Sequence, residues 1–287
     1  MILRRNKSDF SRSFLAKFAR HKLAVVGAVI ILTILILCFF APIFTQHTAN
    51  DINLQARSLK PGEGGYLLGT DRIGRDVWAR VLYGGRVSIS IGLVSALGAA
   101  IIGVTLGSFS GYIGGRFDKI MLRFSEVFNM FPQTMLVLIV LAVAGAGIVN
   151  LCLVFILTGW MPVFRLVRGR FFSLREEPFV ESLRAMSIPR RSIIFKHILP
   201  LTLGPVLVNF TIISATFILT ETGLSFLGLG VPSGTPTWGN IINAARDLEV
   251  LTKMPWLWAT PGVAICLYVL GMNFLGDGLR DLIDPRQ

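Results

Sequence analysis

The chain has 287 residues, of which 53% are hydrophobic and only 15% are charged, and its mean hydropathy is +0.67. A soluble domain would carry about a quarter charged residues, so the composition excludes an ordinary soluble protein and indicates an all-α protein with several membrane spans. The formal net charge of +12 would suit a nucleic-acid partner. The basic residues gather instead at the ends of apolar runs, which is typical of membrane topology. We therefore expect membrane lipid, and no nucleic acid, as a partner.

The first apolar run follows a basic tail. Residues 1–22 contain seven Lys or Arg residues and one acid, Asp9. The run from Leu23 to Phe40 carries no charge, and Ala41-Pro42-Ile43 follows it instead of the small-residue cleavage site of a signal peptide. The pattern predicts an uncleaved spanning helix preceded by a cytoplasmic tail.

The next segment, residues 46–85, is predicted to be an external loop, because its acids nearly balance its bases. Within residues 23–85, which we take as one unit of first helix and loop, Pro61 to Gly65 forms a turn. Thr70 or Asp71 is then placed to cap a helix that continues to about Tyr83.

Five further spans follow in residues 86–281, and residues 282–287 are predicted to be a cytoplasmic tail. The second span, Val87 to Gly115, is rich in small residues, which favour close helix packing. The uncharged stretch from Val127 to Phe164 is too long for one span and divides into two at Gly145-Ala146-Gly147. The fifth and sixth spans are Leu201 to Thr220 and Pro255 to Gly276. Six spans place both termini in the cytoplasm, in agreement with the Lys and Arg bias.

Few side chains in these spans suggest chemistry. Glu221, at the outer end of the fifth span, is either a functional acid within the membrane or a structural residue at the interface, which the nearby polar loop favours. The cysteines and histidines show no paired or clustered spacing, so neither a disulfide framework nor a metal site is predicted. These residues are Cys38, Cys152, Cys266, His21, His47 and His197.

The most charged part of the second half is the loop at about residues 168–200, between the fourth and fifth spans. Apolar residues at helical spacing, Phe179, Val180, Leu183 and Met186, predict a short helix. It should end near Ser187-Ile188-Pro189, because a residue that precedes proline avoids the α region. A second short helix, Arg190 to Ile198, is predicted to follow with Ile193, Ile194 and Ile198 on its apolar side. Spacing alone leaves two interpretations open, a knob that fits a partner's groove and a plain basic loop.

This loop resembles the EAA loop of ABC importer permeases. Glu181 and the closing Ile198-Leu199-Pro200 match the family pattern, whereas Ser182 and Leu183 replace two alanines. Ser187 replaces a glycine, and serine adopts left-handed geometry less easily. In that family the loop contains the coupling helix that docks on the ATPase subunit. The resemblance therefore implies ATPase coupling through Glu181, Ser182, Leu183, Ala185, Met186, Ser187, Ile198 and Pro200.

Four other segments resemble the C-type permeases of the dipeptide/oligopeptide/nickel family. They are LGTDRIGRD at 68–76, LSFLGLG at 224–230, TWG at 237–239 and GDGLRD at 276–281. The resemblance implies a type I ABC importer permease fold with six transmembrane helices. It also implies a homologous second permease, two ATPase subunits or domains and an extracytoplasmic solute-binding protein as partners. The chain lacks the GxxxxGK[ST] phosphate loop, so ATP and Mg are expected in the partner ATPases, and neither a catalytic residue nor a cofactor is expected here.

The function implied is peptide import across a bacterial or archaeal cytoplasmic membrane by alternating access. The solute would pass along small-residue and polar faces of the second to fifth spans, and no substrate-binding residue is assigned. Nickel or metal-chelate import is the alternative within the family. A secondary transporter or channel would need ionisable residues or broken helices at the membrane midplane, and the central parts of the predicted spans carry no charge. A membrane-embedded enzyme would need a cluster of His, Glu or Ser/Lys, which the spans do not show.

Overall fold

A computed structural model describes residues 21–283. The predicted tail at residues 1–22 lies outside this range except for His21 and Lys22, and most of the tail at 282–287 lies beyond it. The described residues are mainly helical, and their only β-structure is one bridge between Thr70 and Asp76. Helix α1 is Lys22–Phe39 and α2 is Ala41–Phe44. The loop that follows contains one 3₁₀ turn, Glu63–Gly65.

The second span lies in a single helix of 37 residues, α3, at Val77–Ile113. Its N-cap is Asp76, whose Oδ1 accepts a hydrogen bond from the Trp78 amide at 2.9 Å. The predicted caps were therefore wrong. Thr70 accepts a bond from the Leu59 amide, and Asp71 accepts bonds from the amides two and four residues ahead of it. Both side chains are used within the loop, so the helix begins later and continues into the membrane without a break.

The third span is bent. Helix α4, Gly115–Asn129, and helix α5, Gln133–Ala144, meet at an angle of 84°. Helix α6, Ile148–Leu174, follows the predicted glycine turn. By length and composition, five helices can cross a membrane, and six spans result when the bent pair counts as one.

The predicted short helix of the charged loop is α7, Pro178–Ala185. The second short helix is not separate. Helix α8, Arg190–Ser192, a π-helical turn, Ile193–Ile198, and helix α9, Leu199–Phe226, follow one another without interruption. The Leu199 amide bonds to the Ile194 carbonyl, five residues back. This wider turn changes the hydrogen-bond spacing just before Pro200, which has no N–H of its own. The chain ends with α10, Trp238–Ile242, a 3₁₀ turn, Asn243–Arg246, α11, Leu248–Lys253, and α12, Trp256–Ile283.

The most extensive helix packing is between α3 and α6 and uses a stripe of glycines on α3. A Cβ added at Gly107 would lie 2.8 Å from the Phe164 carbonyl oxygen, and one added at Gly111 would lie 2.6 Å from that of Arg168. Gly103 is equally crowded by the same helix. The predicted packing role of small residues on this span is thus confirmed. Because α6 fills this face, these glycines do not line a solute pathway.

Helix α1 packs along α12. A Cβ added at Gly27 would lie 2.7 Å from the Gly271 carbonyl oxygen. At one end of this pair, His21 Nδ1 accepts a bond from the Ala24 amide, and His21 Nε2 lies 2.8 Å from Asp281 Oδ2. The first span is therefore attached to the last one.

Helix α7 ends in a left-handed turn. Ser187 has a φ of +56°. Its amide donates to the Arg184 carbonyl at 2.9 Å, and the Ile188 amide donates to the Leu183 carbonyl at 3.1 Å. This pair of bonds is the Schellman motif, in which glycine is usual at the left-handed position. Serine therefore adopts the conformation of the glycine that it replaces.

We predict that Ser187→Gly stabilises this turn, because glycine adopts the left-handed conformation without the steric cost of roughly 1–2 kcal/mol that other residues incur. Hydrogen exchange of the amides of residues 183–188 in the detergent-solubilised chain should slow relative to wild type. Ser182→Gly is the matched control, since it places glycine inside α7 and should speed exchange. Faster exchange in Ser187→Gly would contradict the assignment of this turn.

Candidate functional site

The candidate site is α7 with the residues that hold it against the spans. Pro178 occupies its first turn, where a missing N–H costs nothing. Val180 is fully buried, and Leu183 and Ile188 pack against the same core as Ile193 and Ile194. By contrast, Met186 is 71% exposed. Although Leu183 and Met186 lie three residues apart on the chain, Leu183 packs inward and Met186 points outward.

The residues implied by the resemblance fall into three groups. Ile198 is fully buried in the core and is not available to a partner. Leu183 is half-buried. The remaining positions are exposed and form the free surface of the loop: Glu181, Ser182, Ala185, Met186, Ser187 and Pro200.

Glu181 is the acid of the family pattern, and it is exposed. Among residues 21–283, no ion pair and no amide bond to this carboxylate is present. Ser182 Oγ is used locally and donates to the Pro178 carbonyl at 2.9 Å. The loop is held by other side chains, and Glu181 faces outward.

Two arginines attach the loop to the end of α3. The Arg184 guanidinium lies 5.3 Å from the centroid of the Tyr112 ring. Arg175 donates from Nη1 to the Gly111 carbonyl at 3.3 Å, and its guanidinium lies 4.2 Å from the centroid of the Phe172 ring. Contacts of a cation with an aromatic face are attractive. Both ends of α7 are thereby joined to the last turn of α3.

A polar node fixes α3, α4 and α6 at this same end of the molecule, which we call the α7 end. Two guanidinium nitrogens of Arg168, Nε and Nη2, donate to the Asp118 carboxylate, Nη2 to Oδ2 at 2.6 Å. Ser110 Oγ donates to that carboxylate as well. A bidentate pair of this kind is strong and geometrically specific. Sequence reasoning placed Asp118 in a polar turn and missed the node, because 50 residues separate its two charged partners.

A second node lies at the opposite end of α3, which we call the far end. Glu221 is fully buried and accepts bonds from Ser88 Oγ at 3.1 Å and Ser225 Oγ at 2.8 Å. Ser88 Oγ also accepts a bond from the Trp238 amide. The node therefore joins α3, α9 and α10. The interfacial position favoured for Glu221 was wrong, because its side chain is enclosed by protein.

The two loops of the far end are joined by ion pairs. Arg72 Nη1 donates to Asp247 at 2.6 Å, and its Nη2 donates to Glu249 at 2.9 Å. The hydrogen bond from Arg72 lowers the pKa of Asp247 below its ordinary value. Over the same described range, no three or more His, Cys, Asp or Glu residues come together in an arrangement that could hold a metal ion.

Comparison with known proteins identifies the family. Residues 103–287 match the model of binding-protein-dependent transport system inner membrane components. Residues 10–61 match the N-terminal transmembrane domain of oligopeptide transport permease C.

Relatives match over nearly the whole chain. The oligopeptide transport system permease protein OppC of Bacillus subtilis is 37% identical, over 94% of this chain and 88% of its own. The dipeptide transport system permease protein DppC of Alkalihalophilus pseudofirmus is 36% identical, over 96% and 90%. The glutathione transport system permease protein GsiD of Pectobacterium atrosepticum is 35% identical, over 96% and 91%. The chain therefore belongs to the binding-protein-dependent transport system inner membrane components, as a C-type permease of the dipeptide/oligopeptide/nickel family.

Proposed function

We propose that this chain is one of two permease chains in an ATP-driven importer of peptides. The observation that carries the proposal is its similarity, over nearly its full length, to permeases named for oligopeptide and dipeptide transport. The complex would contain a homologous second permease, two ATPase subunits that bind ATP and Mg, and an extracytoplasmic solute-binding protein. The chain would lie in the cytoplasmic membrane with α7 and both termini in the cytoplasm, in agreement with the Lys and Arg bias.

The alternatives fit less well. Nickel or chelate import has no supporting cluster of metal ligands among residues 21–283. A secondary transporter or channel gains one feature, since the third span is broken, and broken helices occur in that class. Membership of a family of binding-protein-dependent transport components favours the ATP-driven assembly instead.

The coupling surface would be the outward side of α7. Met186 and Phe179 are exposed apolar side chains beside Glu181 and Ser182, on a loop that lies outside the spans. Burial of such a side chain in an ATPase groove would stabilise the complex by about 1.5–3 kcal/mol. The inward side of α7, with Val180 and Leu183, holds the helix on the core, so a displacement of α7 is passed to the spans.

The spans would then move together during alternating access. At the α7 end, Arg184 and Arg175 link the loop to α3, and Asp118 links α3, α4 and α6. At the far end, the Glu221 node links α3 to α9 and α10. ATP-driven closure of the ATPases would therefore displace α3 as a whole, together with the coupling loop at one end and the external loops at the other.

The proposed function predicts ATP-dependent peptide uptake by the complete assembly. Vesicles that contain both permeases, the ATPases and the binding protein should accumulate a labelled peptide mixture when ATP is present on the ATPase side. Vesicles that lack this chain are the control and should accumulate none. Uptake of Ni²⁺ without peptide, or peptide uptake driven by an ion gradient without ATP, would refute the proposal.

The coupling surface predicts a different effect for two neighbouring substitutions. Met186→Asp should weaken ATPase binding by roughly 10- to 100-fold, the equivalent of losing 1.5–3 kcal/mol of apolar burial, at normal membrane abundance. Leu183→Asp should instead lower the abundance of the permease, because it places a charge in the permease's own core. Binding is measured by co-purification of the ATPases at graded concentrations. Met186→Leu is the conservative control, and wild-type ATPase affinity of Met186→Asp would contradict this surface.

A further inference from the structure

The break in the third span is held against the middle of α6. Gln133, the first residue of α5, donates from Nε2 to Thr158 Oγ1 at 3.2 Å. Thr158 follows Ile148, the start of α6, by ten residues (158 − 148), which is about 15 Å along a helix. With Ile148 taken as the residue at which α6 enters a hydrocarbon core about 30 Å thick, the break would lie near the middle of that core.

The main chain at the break is uncovered. Within the part of the chain that the structure describes, the amides of Gln133 and Thr134 have no hydrogen-bond acceptor, and Pro132 offers no capping side chain. Met130 and Phe131 are 77% and 55% exposed. Lipid offers no hydrogen-bond partners, so irregular backbone at this depth is found only where protein or water covers it. The break therefore does not face lipid.

Charged side chains on α4 give independent evidence about the same face. Arg123 pairs with Glu126 at 3.0 Å, and the Arg123 side chain is 84% exposed. This pair lies on α4 between Asp118, which contacts Arg168, and Asn129, which contacts Met161, on the way from the α7 end to the break. Arg123 and Met130 are seven residues apart, so they share one helix face. Charges within a span face a bundle interior or a water-filled cavity.

We propose that this face of α4 and the break at residues 130–134 line the water-filled pathway of the transporter and contact the solute in transit. The inference deepens the proposed function and rests on it for the identity of the solute. A peptide presents main-chain carbonyls, and the free amides of Gln133 and Thr134 offer complementary donors. Contacts of this kind are independent of the peptide's side chains, so the break would serve a carrier of varied peptides.

The test is the reactivity of introduced cysteines in the complete reconstituted assembly. Cys38, Cys152 and Cys266 are first replaced by alanine. Met130→Cys is then compared with Leu157→Cys, which is also exposed but precedes Thr158 at the same depth on the uninterrupted helix α6. The probe is a charged, membrane-impermeant methanethiosulfonate, which needs a hydrated thiolate.

We expect Met130→Cys to react at least about tenfold faster than Leu157→Cys in one state of the ATP cycle, since thiols in apolar surroundings remain protonated. A labelled peptide delivered by the binding protein should slow the reaction. Thr134→Cys provides a second position should Met130→Cys assemble poorly.

Equal, slow reactions in the nucleotide-free and ATP-trapped states would overturn the inference. A fast reaction that peptide does not slow would overturn the contact with the solute. Peptide uptake is measured in the same vesicles, so the two proposals fail separately. Uptake without fast labelling refutes the pathway assignment alone, whereas an absence of ATP-dependent uptake refutes the proposed function whatever the labelling.

Discussion

The close contact between α3 and α6 is the constraint on which the rest of the structure depends. Helices in lipid gain little from the hydrophobic effect when they associate, so close packing and polar contacts must hold them together. Glycines at positions 103, 107 and 111 bring the backbone of α3 against that of α6. This approach places Ser110 and Arg168 around Asp118. The position of α4, and of the loop that follows α6, is set by the same contact.

The long helix α3 connects two polar nodes. At its α7 end the Asp118 carboxylate joins three helices, and at its far end the Glu221 carboxylate joins α3 to α9 and α10. Its 37 residues span about 55 Å, which is more than the thickness of the hydrocarbon core. Directional hydrogen bonds hold the helix at both nodes, and Gly103, Gly107 and Gly111 add close backbone packing towards the α7 end. A helix held in this way would move as a rigid element, which suits alternating access.

The sequence predicted well what depends on local pattern. The apolar runs located the spans, and the spacing of Phe179 and Val180 with Pro189 located α7 and its end. The family pattern has a glycine where this chain has Ser187. That glycine indicated a bend, and Ser187 lies in a left-handed turn. The start of α3 was missed because Asp71 and Asp76 are equally good caps until the loop fold occupies Asp71. Leu183 and Met186 are apolar residues on one short helix, and only tertiary packing separates the inward side chain from the outward one.

Long-range polar contacts could not be predicted from local pattern, because they too depend on tertiary packing. Asp118 and Arg168 have no periodic relation, and Glu221 finds Ser88 133 residues away. The position of the break at Pro132 along α6 could not be predicted either, because it is set by the contact of Gln133 with Thr158.

The central claim is that α7, α3 and α6 move as one rigid unit when the ATPases close. The most direct measurement is the distance between spin labels at Glu177, beside α7, and Leu97, an exposed residue of α3, in the complete transporter. Labels at Glu177 and on the second permease report the closure itself. We expect the distance within this chain to keep the same distribution in the nucleotide-free and ATP-trapped states while the distance between chains changes. A shift of the distance within the chain as large as the change between chains would contradict it.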